Sequence, residues 1–359
     1  MSRFFSKDME ALLPYVPGEQ PREVITLKLN TNEHSHGPSP KAIAAIRAAT
    51  GDDLRLYPDP TARGLCEAIA DSQGVHADQV FVGNGSDEVL AHIFRGLFQR
   101  EGELLLADIT YSFYRTYAAL FGVQVRLVAL ADDFTICVED YLGPHDTPVA
   151  GIIIANPNAP TGIALEPAQI ARILAANPDV PVVIDEAYVD FSSHHCASLL
   201  AQHDNLVIVH TLSKSRALAG LRVGYALAST DIVTGLNRVK NSFNSYPLDR
   251  LAQAGATAAM RDQAWFDRAC ADVIREREAL AQRLRSMGFQ VLPSQTNFLF
   301  VRHPDHDAAD LAAALRRRGI LVRHFSQARI TQFLRITVGL PQQCAMLCDA
   351  LAEMLPSQG

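Results

Sequence analysis

Basic charge is scarce in this chain: 32 Lys and Arg face 39 Asp and Glu, for a formal charge of −7. Nucleic acid selects a basic face, so no nucleic-acid partner is expected. Cysteine is sparse too, with six in 359 residues (66, 137, 196, 270, 344 and 348). None forms a C-x-x-C pair, and Cys344 and Cys348, four apart, read as one face of a helix rather than a metal clip. His34-Ser35-His36 lacks further ligands at a known spacing, so no metal is expected. No apolar run approaches the roughly 20 residues of a membrane span, and the mixed-charge start MSRFFSKDMEALLPY has no apolar signal core. The expectation is a soluble, cytoplasmic protein with reduced thiols and no membrane partner.

What is present is an ordinary globular composition, 48% hydrophobic and 20% charged, in a chain long enough for two domains. Short apolar runs alternate with Ala- and Leu-rich helical patterns from about residue 60 to 240: Val80–Val82, Leu104–Leu106, Val123–Val128, Ile152–Ile154, Val182–Ile184, Leu206–Val209 and Val223–Leu227. Several are apolar throughout, the pattern of strands buried on both faces of a mainly parallel sheet. Helices are predicted over Asp87–Phe98, capped by Ser86, and over Pro167–Ala176. Beyond residue 245 a long mixed-charge helix (264–287) precedes a strand (297–301), a helix (308–318) ending in Arg316-Arg317-Arg318, and strands at 320–323 and 333–337. The fold class is therefore α/β, a mainly parallel central sheet flanked by helices, with a smaller α+β C-terminal domain. Its large domain is expected over residues 30–245 and the small one over 1–29 plus 246–359. Ligands should bind at the carboxyl ends of the strands.

Four segments sit at such ends. In VIVHTLSKSRALAGLR, Lys214 follows a buried strand, where a desolvated amine can bond to an aldehyde, and Ser213 and Arg222 can hold a phosphate. Alone, such a Ser-Lys pair reads as a surface lysine after a strand. In VVIDEAY, Asp185 ends a strand; a carboxylate there can pair with a protonated pyridine nitrogen, with Tyr188 reaching the same ring, or it can simply cap the next helix. VFVGNGSDE leads through glycines to a helix N-terminus, an anion site or a plain turn. In NPNAPTG two prolines impose a rigid turn, either a structural loop or the wall of a site.

Together, N-P-N-A-P-T-G, D-E-A-Y, T-L-S-K…G-L-R and G-N-G-S-D-E resemble the aspartate-aminotransferase superfamily of pyridoxal-phosphate enzymes, fold type I. More narrowly the chain resembles the histidinol-phosphate aminotransferases, supported by Pro14-Tyr15, Leu29–Glu33, Leu56–Asp59, Thr110-Tyr111 and Leu334–Gly339, in order along essentially the whole chain. The resemblance implies pyridoxal phosphate as cofactor, Lys214 bonded to its aldehyde and moving the substrate's Cα proton, Asp185 at the pyridine nitrogen, Tyr188 at the 3′-oxygen and Tyr111 stacked on the ring. It implies a cofactor phosphate held by Ser213, Arg222 and the backbone N–H groups of Ser86 and Asp87, with Tyr57 reaching in from the second subunit of a homodimer. Tyr15, Arg323 and Arg335 would bind the phosphate of histidinol phosphate and the carboxylate of glutamate or 2-oxoglutarate. The sequence departs from the family's pattern twice. Ala159 stands where relatives carry a ring-contacting asparagine, so either Asn156 or Asn158 takes over that contact or it is absent. His34-Ser35-His36 replaces N-P-Y in the loop bordering the substrate. Aromatic amino-acid aminotransferases and threonine-phosphate decarboxylases would share the cofactor contacts.

Overall fold

A computed structural model describes residues 3–6, 9–10, 12–16, 18–20 and 25–355. Strand β1 (Leu27–Lys28) comes first. The central sheet follows with β2 (Val80–Asn84), β3 (Glu103–Ala107), β4 (Gln124–Val128), β5 (Val149–Ala155), β6 (Val182–Asp185), β7 (Leu206–Thr211) and β8 (Val223–Ala228). The later strands are β9 (Gln290–Val291), β10 (Phe298–Arg302), β11 (Ile320–Leu321), β12 (Arg323–His324) and β13 (Leu334–Thr337).

The central order is β2-β8-β7-β6-β5-β3-β4, and only β8 runs antiparallel to its neighbours. All seven predicted runs are strands. Those in β5 to β8 are buried along their whole length because helices cover both faces. The antiparallel β8 has a functional consequence: it begins at the edge where β2, β3, β5, β6 and β7 end. Segments after five strands and before a sixth therefore meet at one rim.

The predicted Pro167–Ala176 helix is found with those bounds, and the long helix spans Gln263–Ser286. Three expectations need correction. Ser86 is not a cap: the helix runs Gly85–Ile93 from Asn84, whose N–H donates to Glu88 Oε2 at 2.6 Å. The apolar run to Phe98 continues as a π-turn, Phe94–Phe98. The predicted strand 320–323 is two, β11 beside β1 and β12 beside β13, in separate sheets.

Three large cores result. Two lie on opposite faces of the central sheet, and the third joins Leu27 and Leu29 to Leu280, Leu299, Ile336 and Leu351. Ala252, Ala256, Ala259 and Met260 of the helix Arg250–Met260 are buried in a central-sheet core. We therefore propose that the large domain extends through Met260 rather than ending at 245. Of the expected N-terminal part of the small domain, residues 1, 2, 7, 8, 11, 17 and 21–24 lie outside the described residues. Cys344 and Cys348 share the buried face of one helix, and all six thiols are free. Among the described residues no helix is long and apolar enough to cross a membrane.

Candidate active site

Two chambers open at this rim, one of about 190 Å³ and one of about 210 Å³, sharing Thr31, Tyr111, Ala159, Tyr188 and Lys214 as walls. The inner chamber is also lined by Ser86, Asp87, Asp185, Ser213 and Arg222, so the four segments singled out in the sequence converge. The outer one is lined by Tyr15, Arg323 and Arg335.

Asp185 ends β6 and is fully buried. Burial pushes its carboxyl up to about 6, against the lowering effect of hydrogen bonds from Tyr114 and the Ala187 N–H. Tyr114 donates from its hydroxyl to Oδ2 at 2.7 Å. A buried carboxylate with only neutral donors around it is under-compensated, the environment that invites a cation. Tyr188 accepts from the Asn32 amide at 2.9 Å. Lys214 Nζ donates to the Thr31 carbonyl at 3.2 Å and lies 5.7 Å from the Tyr188 ring centre. Among the described residues, no carboxylate comes within ion-pair distance of that amine.

At the other end of the inner chamber, the helix Gly85–Ile93 presents the free N–H groups of its first turn. Two glycines permit the approach. A Cβ at Gly224 would sit 2.2 Å from the Ser86 nitrogen, and one at Gly85 would sit 2.4 Å from Arg222 Nη2. Arg222 holds a left-handed backbone (φ 53°) and donates to Ser213 Oγ at 3.3 Å and Asp87 Oδ2 at 3.0 Å. Tyr111 closes the side, its hydroxyl donating to Asp87 Oδ1 at 3.2 Å. Burial raises its phenol far above the usual range.

In the outer chamber Arg323 and Arg335 face each other across the β12–β13 register. Arg335 is half-buried, with Phe298 and Phe325 rings 5.3 and 5.7 Å from its guanidinium. Its Nη2 donates to the Asn30 carbonyl at 3.0 Å, while its Nε has no partner. Burial, and the like charge of Arg323, lower its pKa. No carboxylate among the described residues pairs with either arginine. Tyr15 packs against Phe113 at 4.7 Å and Tyr111 at 6.4 Å.

Two expected residues are not brought to the cavity. The Asn156 side chain is spent on Leu165, donating to its carbonyl and accepting from its N–H. Asn158 donates to Ile109 O and Thr161 Oγ1 and accepts from Thr110 Oγ1. Both asparagines brace their loop, and Ala159 supplies the wall. Tyr57 is exposed, stacked on Tyr246 at 4.7 Å. His34 and His36 line neither chamber; His34 packs near Phe191 and Trp265, and burial lowers its pKa to about 4. Tyr114, in the first turn of the helix Phe113–Phe121, sits in an aromatic-rich stretch where nothing in the sequence marks it. Nor does the sequence mark Asn32 as the partner of the Tyr188 hydroxyl.

The chain belongs to the aminotransferase class I and II family, whose sequence model matches residues 24–351. It is a transaminase by family. Within that class it is 58% identical to histidinol-phosphate aminotransferase 1 of Bordetella parapertussis over 99% of this chain and 100% of that one. It is 56% identical to the histidinol-phosphate aminotransferase of Pseudomonas putida over 98% and 100%. The crystal structure of histidinol-phosphate aminotransferase from Sinorhizobium meliloti in complex with pyridoxal-5′-phosphate superimposes with a TM-score of 0.88 at 26% identity, covering 100% of this chain and 99% of that one.

Proposed function

We propose that this chain moves an amino group from L-histidinol phosphate to 2-oxoglutarate, giving imidazole-acetol phosphate and glutamate, as a pyridoxal-phosphate-dependent homodimer of the cytoplasm. The inner chamber fits that cofactor. Asp185 is a buried carboxylate short of a cation, and a pyridinium N–H supplies one. Gly85 and Gly224 keep side chains out of a cradle at a helix N-terminus, where Arg222 and Ser213 suit a phosphate ester.

When bound, pyridoxal phosphate supplies an aldehyde that bonds to amines and an electron-poor ring that accepts the electron pair left by a departing Cα proton. The residues supply the rest. Lys214 Nζ, free of any carboxylate, is the amine that would hold the cofactor's aldehyde carbon and, once free, would carry the substrate's Cα proton to that carbon. Asp185 holds positive charge on the ring nitrogen. Tyr188, oriented by Asn32, donates to the 3′-oxygen, and Tyr111 covers the ring face. Arg222, Ser213 and the N–H groups of Ser86 and Asp87 grip the ester.

Arg335, Arg323 and Tyr15 bind the substrate's anionic end. Two guanidiniums held opposite each other without a carboxylate form a site for a dianion, which both a phosphate monoester and a dicarboxylate satisfy. That unpaired arginine pair beside Lys214 and Asp185 is the observation that carries the proposal. Tyr57 completes the ester site of the second subunit.

The test compares histidinol phosphate, phenylalanine and threonine phosphate as substrates, with and without 2-oxoglutarate. Preference for histidinol phosphate that collapses in Arg335→Ala is expected. Equal or better turnover of phenylalanine, or carbon dioxide release without 2-oxoglutarate, would refute the substrate assignment.

A further inference from the structure

Residues flanking the cofactor-facing side chains are themselves polar and buried, but on the opposite side of the sheet. Strand alternation turns Glu186 away from Asp185, and His210 of β7 lies on the same reverse face among Tyr225, Ile208 and Ile184. Glu186 Oε2 lies 3.2 Å from His210 Nε2, an ion-pair contact without hydrogen-bond geometry, with side-chain exposures of 0% and 3%. Glu186 Oε1 accepts from the Cys196 N–H at 2.9 Å, and the imidazole stacks on Tyr225 at 4.8 Å. A second link lies beyond it. Ser215, beside Lys214, donates its hydroxyl to Asp190 Oδ2, two residues past Tyr188. Arg216 is also buried; its Nη1 donates to the Ala259 carbonyl at 2.9 Å, and its guanidinium lies 3.6 Å over Phe266.

Burying such charges gains little stability compared with apolar side chains of similar volume, so stability alone does not account for them here. Their placement does. Each link joins the Asp185–Asp190 segment to the His210–Arg216 segment, which hold the ring-contacting groups and the reacting amine respectively. We propose that Glu186–His210 and Asp190–Ser215 are positioning pairs that fix Lys214 against Asp185 and Tyr188 from behind the sheet. This rests on the reading of Lys214, Asp185 and Tyr188 as the cofactor-holding residues.

The experiment uses full-length enzyme loaded with pyridoxal phosphate and the variants Ser215→Ala, Ser215→Thr, Asp190→Asn and the double Ser215→Ala/Asp190→Asn. A misplaced reacting group slows the chemical step more than it weakens substrate binding, so Ser215→Ala is expected to lower kcat about tenfold and leave KM within about twofold. The cofactor's apparent Kd, read from recovery of yellow absorbance after dialysis, should rise while the melting temperature stays near wild type. Ser215→Thr, which keeps the hydroxyl, should restore both. The double variant should be no slower than the slower single one, as for two ends of one link. Wild-type kcat and cofactor affinity in Ser215→Ala overturn the inference, as do losses that multiply in the double variant. Lys214→Ala separates the layers: if borohydride still fixes pyridoxal phosphate covalently to it, the underlying reading fails, whereas no fixation in Lys214→Ala beside an unaffected Ser215→Ala sinks the positioning role alone.

Discussion

Single side chains set the chemistry, and two carry sharp consequences. Replacing Lys214 by Ala should abolish both steady-state turnover and the aldimine absorbance that added pyridoxal phosphate gives the wild type; retained turnover would count against its role. Asp185 gives a stability prediction for cofactor-free protein. Its carboxyl is raised by burial from 3.8 to about 6, so the native state keeps its proton at pH values where the unfolded chain has lost it. That contribution is fully present below about pH 4 and is lost as pH rises to about 6, an effect of about 3 kcal/mol. Asp185→Asn should therefore flatten this part of the pH–stability curve in urea unfolding, and an unchanged slope would contradict it. Asp185, Lys214 and Arg222 were legible because each ends or begins an apolar run with a group too polar for its place. Tyr114 was not, since a buried tyrosine on an amphipathic helix reads as core until its hydroxyl is seen on a carboxylate. Asn156 and Asn158 misled because an amide's chemistry is visible in a sequence, whereas whether its own loop consumes it is not.

At the scale of elements, β-strand identity was readable and register was not. Runs such as VVID and VIVHT announce strands, but neither the antiparallel setting of β8 nor the split of 320–323 between two sheets follows from local pattern. Each depends on which distant strand pairs, Val223 with Asn84 in one case and Ile320 with Leu27 in the other. The setting of β8 makes Gly224 a test of the phosphate cradle. An added methyl would meet the backbone at Ser86 and Gly85, which cannot swing aside as a side chain can. Gly224→Ala should destabilise the fold by about 1–3 kcal/mol and weaken pyridoxal phosphate binding by pushing the helix N-terminus outward. A variant matching wild type in both melting temperature and cofactor Kd would show that the contact is not tight.

For the whole molecule, the exposed Tyr57 decides whether one chain makes a complete site. If it serves the neighbouring subunit, mixing Tyr57→Ala with Lys214→Ala protein and allowing exchange creates hybrid dimers with one intact site and one doubly damaged. An equal mixture should then recover up to about a quarter of wild-type activity, since half the dimers are hybrids with one good site each. Activity no higher than the average of the two separate variants would place Tyr57 in its own subunit or outside the site.

The pairing of Leu27–Lys28 with Ile320–Leu321 bears on how the protein is made. A ribosome must add nearly three hundred residues after the first strand before its partner exists, while the central sheet, spanning 80–228, has everything it needs far earlier. The first strand therefore waits with apolar Leu27 and Leu29 uncovered through most of synthesis, which makes it the segment where a chaperone binding the nascent polypeptide has most to protect.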